Sequence, residues 1–184
     1  LMLELLRHQD PRVRRAMFGA INKRPDVLDR EVFDLAVHSV KDPKESWWVK
    51  DAALQIIGKG SADWVTPHID LLLPYLRHSD WWLQNAALTA LTPVAADTRC
   101  YQRVLPAMGE LIQSNQRTAL TRGLMPSIRA RIKAAGPEVQ ALATATLKET
   151  YTGFIGVKTT PGGQDVTSTY DAHLGFIAAS LADV

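Results

Sequence analysis

The stretch Ser46-Trp47-Trp48-Val49-Lys50-Asp51-Ala52-Ala53-Leu54 returns as Asp80-Trp81-Trp82-Leu83-Gln84-Asn85-Ala86-Ala87-Leu88, with both tryptophans in the same places. A related stretch without tryptophans, Asp10-Pro11-Arg12-Val13-Arg14-Arg15-Ala16-Met17-Phe18, falls into register ahead of them, so that the copies start 36 and 34 residues apart. Such periods belong to arrays of stacked helical hairpins. Each copy opens on Asp or Ser, whose side-chain oxygen can accept a hydrogen bond from an otherwise unpaired N–H of the next turn. Three residues on stands Val13, Val49 or Leu83, and three further Ala16, Ala52 or Ala86, a spacing that puts a branched aliphatic and a small residue on one helical face.

The residues before each opening repeat as well. Leu6-Arg7-His8-Gln9-Asp10 and Leu76-Arg77-His78-Ser79-Asp80 share Leu-Arg-His-x-Asp at a separation of 70 residues, and His38 occupies a similar place between them. Each repeat therefore reads as a helix, a short turn and a capped second helix. The periodicity predicts helices near 1–7, 11–22, 29–40, 47–59, 65–76, 81–91, 103–113 and 118–135, with Pro25, Gly58, Gly60, Pro67 and Pro93 at the joins.

The pattern resembles the HEAT-repeat family, whose second helix typically opens with Asp, then a Val-Arg pair and a small residue, as Asp10 through Ala16 does. Lys50 and Gln84 stand where that family's Arg would fall, which leaves its Asp–Arg ladder incomplete. The resemblance covers roughly Leu1 to Ala135 and implies an all-α fold, a right-handed α-solenoid of HEAT-like helical hairpins. Past Ala135 the repeat fades. Residues 136–184 are expected to continue the same domain as helices interrupted by a small C-terminal β-hairpin near 153–170, because Thr, Val, Ile, Phe and Tyr cluster there around Pro161-Gly162-Gly163. The hairpin would either cap the last repeat or protrude as a contact element.

Composition excludes some function classes. The 21 basic and 19 acidic residues leave a formal net charge of +2, so an electrostatic partner would need a local patch. The single cysteine, Cys100, cannot form an internal disulfide, which fits a reducing compartment such as the cytoplasm. No apolar run has the length of a membrane span, and the first residues lack the order of a signal peptide. Because the sequence opens inside an apparent helix and ends without a stop signal, it reads as a region of a larger protein.

Four tryptophans, Trp47, Trp48, Trp81 and Trp82, fall on the first turns of two successive second helices, which in a stacked array lie about 8–10 Å apart. Either they seal the seam between repeats or they form an aromatic ridge able to stack on sugars, bases or partner side chains. The second of each pair, Trp48 or Trp82, has no evident structural need and is the expected binding position. A further charge asymmetry lies between Arg103 and Lys133, where Glu110 is the one acidic residue and Arg122, Arg129 and Lys133 share a helical face. That stripe is either solvated or faces an anionic partner.

Ser46-Trp47-Trp48-Val49-Lys50-Asp51 also resembles the motif of HEAT-like alkylpurine DNA glycosylases, which carry a double Trp with an aspartate on the same helix. That resemblance implies that Asp51 would support departure of a cationic damaged base while Trp47 holds the nucleotide and a downstream Arg contacts the backbone. Gln84 and Asn85 stand near where the basic residue is wanted. His8, His38 and His78 recur one repeat or more apart, too far to share a zinc ion, and no paired cysteines or phosphate-binding Gly loop occurs, so neither metal nor cofactor is expected. The expectation is a non-enzymatic scaffold that binds a protein. The alternatives are a nucleic-acid-binding or base-excision module, and an accessory helical region of an enzyme whose catalytic domain lies elsewhere.

Overall fold

In a computed structural model, which describes residues 1–114 and 118–158, every regular element among the described residues is helical. The chain divides into two compact units, one spanning Leu1–Val94 and the other starting at Ala95. The loss of the repeat pattern near Ala135 is a change in sequence; the division after Val94 is one in packing.

The first unit holds α1 (Met2–Leu6), α2 (Pro11–Lys23), α3 (Arg30–Lys41), α4 (Trp47–Ile57), α5 (Ala62–Val65), α6 (Ile69–Leu72) and α7 (Trp81–Leu91). Local chemistry sets the helix starts. Asp10 accepts from the Arg12 N–H at 2.8 Å with Pro11 at the first helical position, Asp29 from the Val32 N–H at 2.9 Å, and Asp80 from the Trp82 N–H at 2.8 Å. Ser46 departs from the expected pattern. Its side chain caps nothing, and its own N–H donates to Glu45 Oε1 at 2.7 Å.

Helices α2, α4 and α7 form one row, with α4 packed on both neighbours, while α1, α3 and the 62–77 stretch form a second row behind them. The core of this unit includes Phe18, Ile21, Phe33, Leu54, Ile57, Leu72, Leu88 and Leu91, all under 2% exposed; burial of each such side chain is worth about 1.5–3 kcal/mol. At the α4–α7 crossing a Cβ on Gly58 would stand 2.5 Å from the Thr89 carbonyl oxygen. The backbones approach this closely because Gly58 has no side chain.

The helix expected over 65–76 is broken instead into α5, a 3-10 turn at Thr66–His68, α6 and a 3-10 stretch at Leu73–Arg77. Pro67 and Pro74 are the second residues of the two 3-10 segments, where the missing proline N–H interrupts the α-helical ladder. Tyr75 Oη donates to the Val40 carbonyl at 3.1 Å and ties this stretch to α3. Phe33, Trp64 and His68 cluster beside it, with the Arg30 guanidinium 5.5 Å from the Phe33 ring centre and 5.8 Å from that of Trp64. Burial pushes the His68 imidazole below its ordinary pKa.

The second unit contains α8 (Tyr101–Ser114), α9 (Thr118–Ala134) and α10 (Pro137–Lys158), with α10 packed on both α8 and α9. Gln140 Nε2 donates to the Lys133 and Ala135 carbonyls at 3.2 and 3.1 Å, satisfying acceptors left open at the end of α9. Of the β-hairpin expected near 153–170, residues 153–158 are instead the last turns of α10, and 159–170 lie outside the described residues. Cys100 is buried. No helix among the described residues is long and apolar enough to cross a membrane.

Candidate binding groove beside the second helices

The repeated Leu-Arg-His-x-Asp segment builds the same junction twice. The Asp10 N–H donates to His8 Nδ1 at 3.0 Å, and the Asp80 N–H to His78 Nδ1 at 2.9 Å. Four residues after each Asp, a long polar side chain folds back onto the histidine's own carbonyl: Arg14 Nη1 donates to the His8 oxygen, and Gln84 Nε2 to the His78 oxygen at 2.7 Å. The histidines thus clamp the turn between helices by accepting from the N-cap backbone. Gln84, which stands in the repeat where Arg14 does, performs one of that arginine's two tasks. The other task is seen at Arg14, which also grips Glu45 of the next repeat through two bonds of 2.8 and 2.7 Å, with the side chains only 19% and 5% exposed.

The tryptophans divide in an unexpected way. Trp47 and Trp82 are each 46% exposed, whereas Trp48 and Trp81 are partly covered. Sequence reasoning selects Trp48 and Trp82; of these Trp82 is an exposed ring and Trp48 is not, Trp47 taking its place. Within the pairs the rings touch, Trp47 and Trp48 edge to face at 5.8 Å and Trp81 stacked on Trp82 at 3.7 Å.

Trp47 forms one wall of an open groove of about 270 Å³ between α4 and the chain entering α7. Pro74 and Tyr75 form the facing wall, Leu83 lies between, and Glu45, Lys50 and His78 supply the polar lining. Tyr75 stacks on His78 at 5.9 Å. Tyr75 and the pairing of Glu45 with Arg14 are what sequence reasoning missed: the proline that breaks the helix and the residue before the cap carry no periodic signal.

No protein-family model matches the sequence, and no curated protein matches it either. The groove and the surrounding surface are therefore read from their own chemistry.

Asp51 lies one residue past Lys50, on the same helix as Trp47. Gln55 Nε2 donates to its Oδ2 at 3.2 Å, and Asn22 Nδ2 of α2 donates to Gln55 Oε1 at 3.1 Å, so a short polar chain links the two helices. Burial raises the Asp51 carboxyl above its ordinary range, opposed by the Gln55 bond and the charge of Arg15. Asp10 shows the opposite case: hydrogen bonds from the Arg12 side chain and backbone hold its carboxyl down at about 2.

Of the basic stripe, Arg129 is partly covered and Lys133 exposed on α9; the side chain of Arg122 lies outside the described residues. Among the described residues no group of three His, Cys, Asp or Glu side chains converges as a metal-binding cluster would. A second apolar hollow lies on the open face of α2, lined by Leu5, Val13, Ala16, Met17 and Ala20 with Arg12 at its edge.

Proposed function

We propose that the first unit is a segment of HEAT-like α-solenoid that serves as a non-enzymatic scaffold for a protein partner, through the face where α4 and α7 begin. The observation that carries the reading is the pair of half-exposed rings, Trp47 and Trp82, on the opening turns of neighbouring helices whose Val49, Leu54, Ile57, Leu83, Leu88 and Leu91 are closed into the core. A large aromatic ring left in water forgoes about 25 cal/mol for each Å² that burial would gain, and such rings are enriched at the centres of protein interfaces. The repeated His–Asp clamp and the Arg14–Glu45 link hold this face rigid, which lowers the entropic cost of binding. The row formed by α2, α4 and α7 offers a surface suited to an extended polypeptide.

The immobilised protein, challenged with fractions of its source lysate, should retain a protein that a Trp47→Ala/Trp82→Ala double variant of unchanged helicity releases. Equal retention by both proteins would refute the reading.

One observation supports a base-excision alternative: Asp51 is a half-buried carboxylate four residues after Trp47 and near Arg15. Gln84, at the next helix, is committed to the His78 carbonyl and offers no cation for a DNA backbone. Release of an alkylated base from duplex DNA, abolished by Asp51→Asn, would replace the scaffold reading with this one.

A further inference from the structure

We infer that the groove between Trp47 and Tyr75 takes a proline-rich, acidic peptide segment in the polyproline II conformation. This deepens the scaffold reading and rests on it. The inference starts from which polar groups around the groove are already occupied. Both Glu45 oxygens are bound by Arg14, and one also accepts the Ser46 N–H. The Tyr75 hydroxyl donates its hydrogen bond to the Val40 carbonyl, and the His78 carbonyl accepts from Gln84. His78 accepts at Nδ1 from Asp80, and an imidazole that accepts there carries its proton on Nε2 as a donor.

What remains is richer in donors than in acceptors. The Trp47 indole N–H and the Lys50 ammonium have no partner among the described residues. The groove therefore offers three donors, the Trp47 and His78 N–H groups and the Lys50 ammonium, while the Glu45 carboxylate and the His78 carbonyl are already engaged and the Tyr75 oxygen keeps acceptor capacity. Its walls are an indole, a phenol ring and a proline, with Leu83 between them. A ligand that fits must bring apolar rings and hydrogen-bond acceptors, few donors of its own, and a negative charge opposite Lys50.

A proline-rich segment has that composition. Its backbone carbonyls are exposed in the polyproline II helix, its prolines lack N–H groups, and its rings pack on aromatic side chains. Sugars fit less well, because their hydroxyls donate as readily as they accept. A methylated or free ammonium would meet Lys50 and a carboxylate already neutralised by Arg14. At about 270 Å³ and open to solvent, the groove is also small for a site that encloses a drug-sized ligand, and suits the side chains of a passing peptide.

The test follows the indole N–H resonance of Trp47, assigned by its loss in Trp47→Phe, during titration of the whole chain with three capped peptides. These are repeats of Pro-Pro-Glu, of Pro-Pro-Lys and of Ala-Ala-Glu. The acidic proline peptide should shift that resonance in a saturable way and bind on the order of tenfold more tightly than either of the others. Lys50→Glu should reverse the preference between the two proline peptides. An unmoved resonance, an equal response to Ala-Ala-Glu, or tighter binding of the lysine peptide by the wild-type chain would overturn the inference. So would saturable displacement of the peptide's signal by a single-stranded oligonucleotide that binds more tightly than the peptide. A random peptide display selection separates the two levels of the reading. Enriched clones without proline whose binding is lost on Trp47→Ala overturn the polyproline assignment and leave the scaffold standing; the absence of any clone dependent on Trp47 or Trp82 overturns both.

Discussion

Gly58→Ala and Gly19→Ala make the same chemical change on neighbouring helices and should have opposite effects. By propensity alone each should stabilise, because glycine costs a helix about 0.5–1 kcal/mol relative to alanine. Gly58, at the end of α4, has φ −65° and ψ −9°, a conformation alanine adopts without strain. The obstacle is the neighbouring helix. An added methyl would lie 2.5 Å from the Thr89 carbonyl oxygen, 2.8 Å from its carbon and 2.9 Å from Thr89 Cγ2, and the first two are backbone atoms of α7 that cannot rotate away. Separating α4 from α7 by enough to admit the methyl loosens Leu54, Ile57, Leu88 and Leu91, at the usual overpacking cost of about 1–3 kcal/mol. Gly19 in α2 has nothing within 4 Å of the corresponding position. Urea denaturation followed by helical circular dichroism should place Gly58→Ala about 1–2 kcal/mol below the wild type and Gly19→Ala about 0.5–1 kcal/mol above it. A Gly58→Ala chain as stable as the wild type would refute the close crossing of α4 and α7, and with it the placement of the groove beside them.

Three further outcomes follow from the junctions. Removing either partner of the Arg14–Glu45 pair should cost on the order of 3 kcal/mol in the same denaturation assay, and the double substitution should cost less than the sum, since each single change strands a partly buried charge. Gln84→Ala should cost about 1 kcal/mol through the abandoned His78 carbonyl, whereas Gln84→Arg, which copies Arg14, should keep wild-type stability. The Asp51 carboxyl is raised in the folded state, so the folded chain binds its proton more tightly than the unfolded chain. Its contribution is fully present below the unfolded value near 3.9 and is lost as pH rises through the raised folded value. Asp51→Asn should therefore gain in stability over the wild type at neutral pH, and that gain should vanish below about pH 4, as read from melting temperatures across the range.

The starts of α2, α4 and α7 at residues 11, 47 and 81 were legible because a cap and a helical period are local signals, each confined to one turn of chain. What needed the neighbours was not. Ser46 looks like a cap in the sequence, yet the residue before it dominates the turn, because Glu45 answers Arg14 from the preceding repeat. Two prolines inside an apolar run broke the expected helix at 65–76 into four short pieces. Gly153, Ile155, Gly156 and Val157 are poor helix formers, and their strand-like composition suggested a hairpin, but α10 continues through them to Lys158. A helix already nucleated over the preceding turns extends at low cost through residues that would not start one.

The repeated Trp-Trp shows why copied sequence is not copied environment. Trp47 and Trp81 occupy one position of the repeat and Trp48 and Trp82 the next, yet exposure falls on the first ring of one pair and the second of the other. The helix sets only the direction in which each ring leaves the backbone; what it meets depends on the chain that follows. For Trp47 that chain is the proline-interrupted 73–78 stretch, which brings Tyr75 and His78 to the far side of a gap and leaves the indole open between them. For Trp82 the cover comes from within the pair, Trp81 lying 3.7 Å away on one face and leaving the other to solvent. The two exposed rings are thus unlike each other chemically: Trp47 has an aromatic wall opposite it and a donor-rich rim, while Trp82 offers a bare face. A partner that uses both would be gripped at Trp47 and rest on Trp82, so truncating Trp47 should cost more affinity than truncating Trp82, by on the order of 1–2 kcal/mol in a calorimetric titration. Equal losses at the two positions would mean that the groove adds nothing to the ring that lines it.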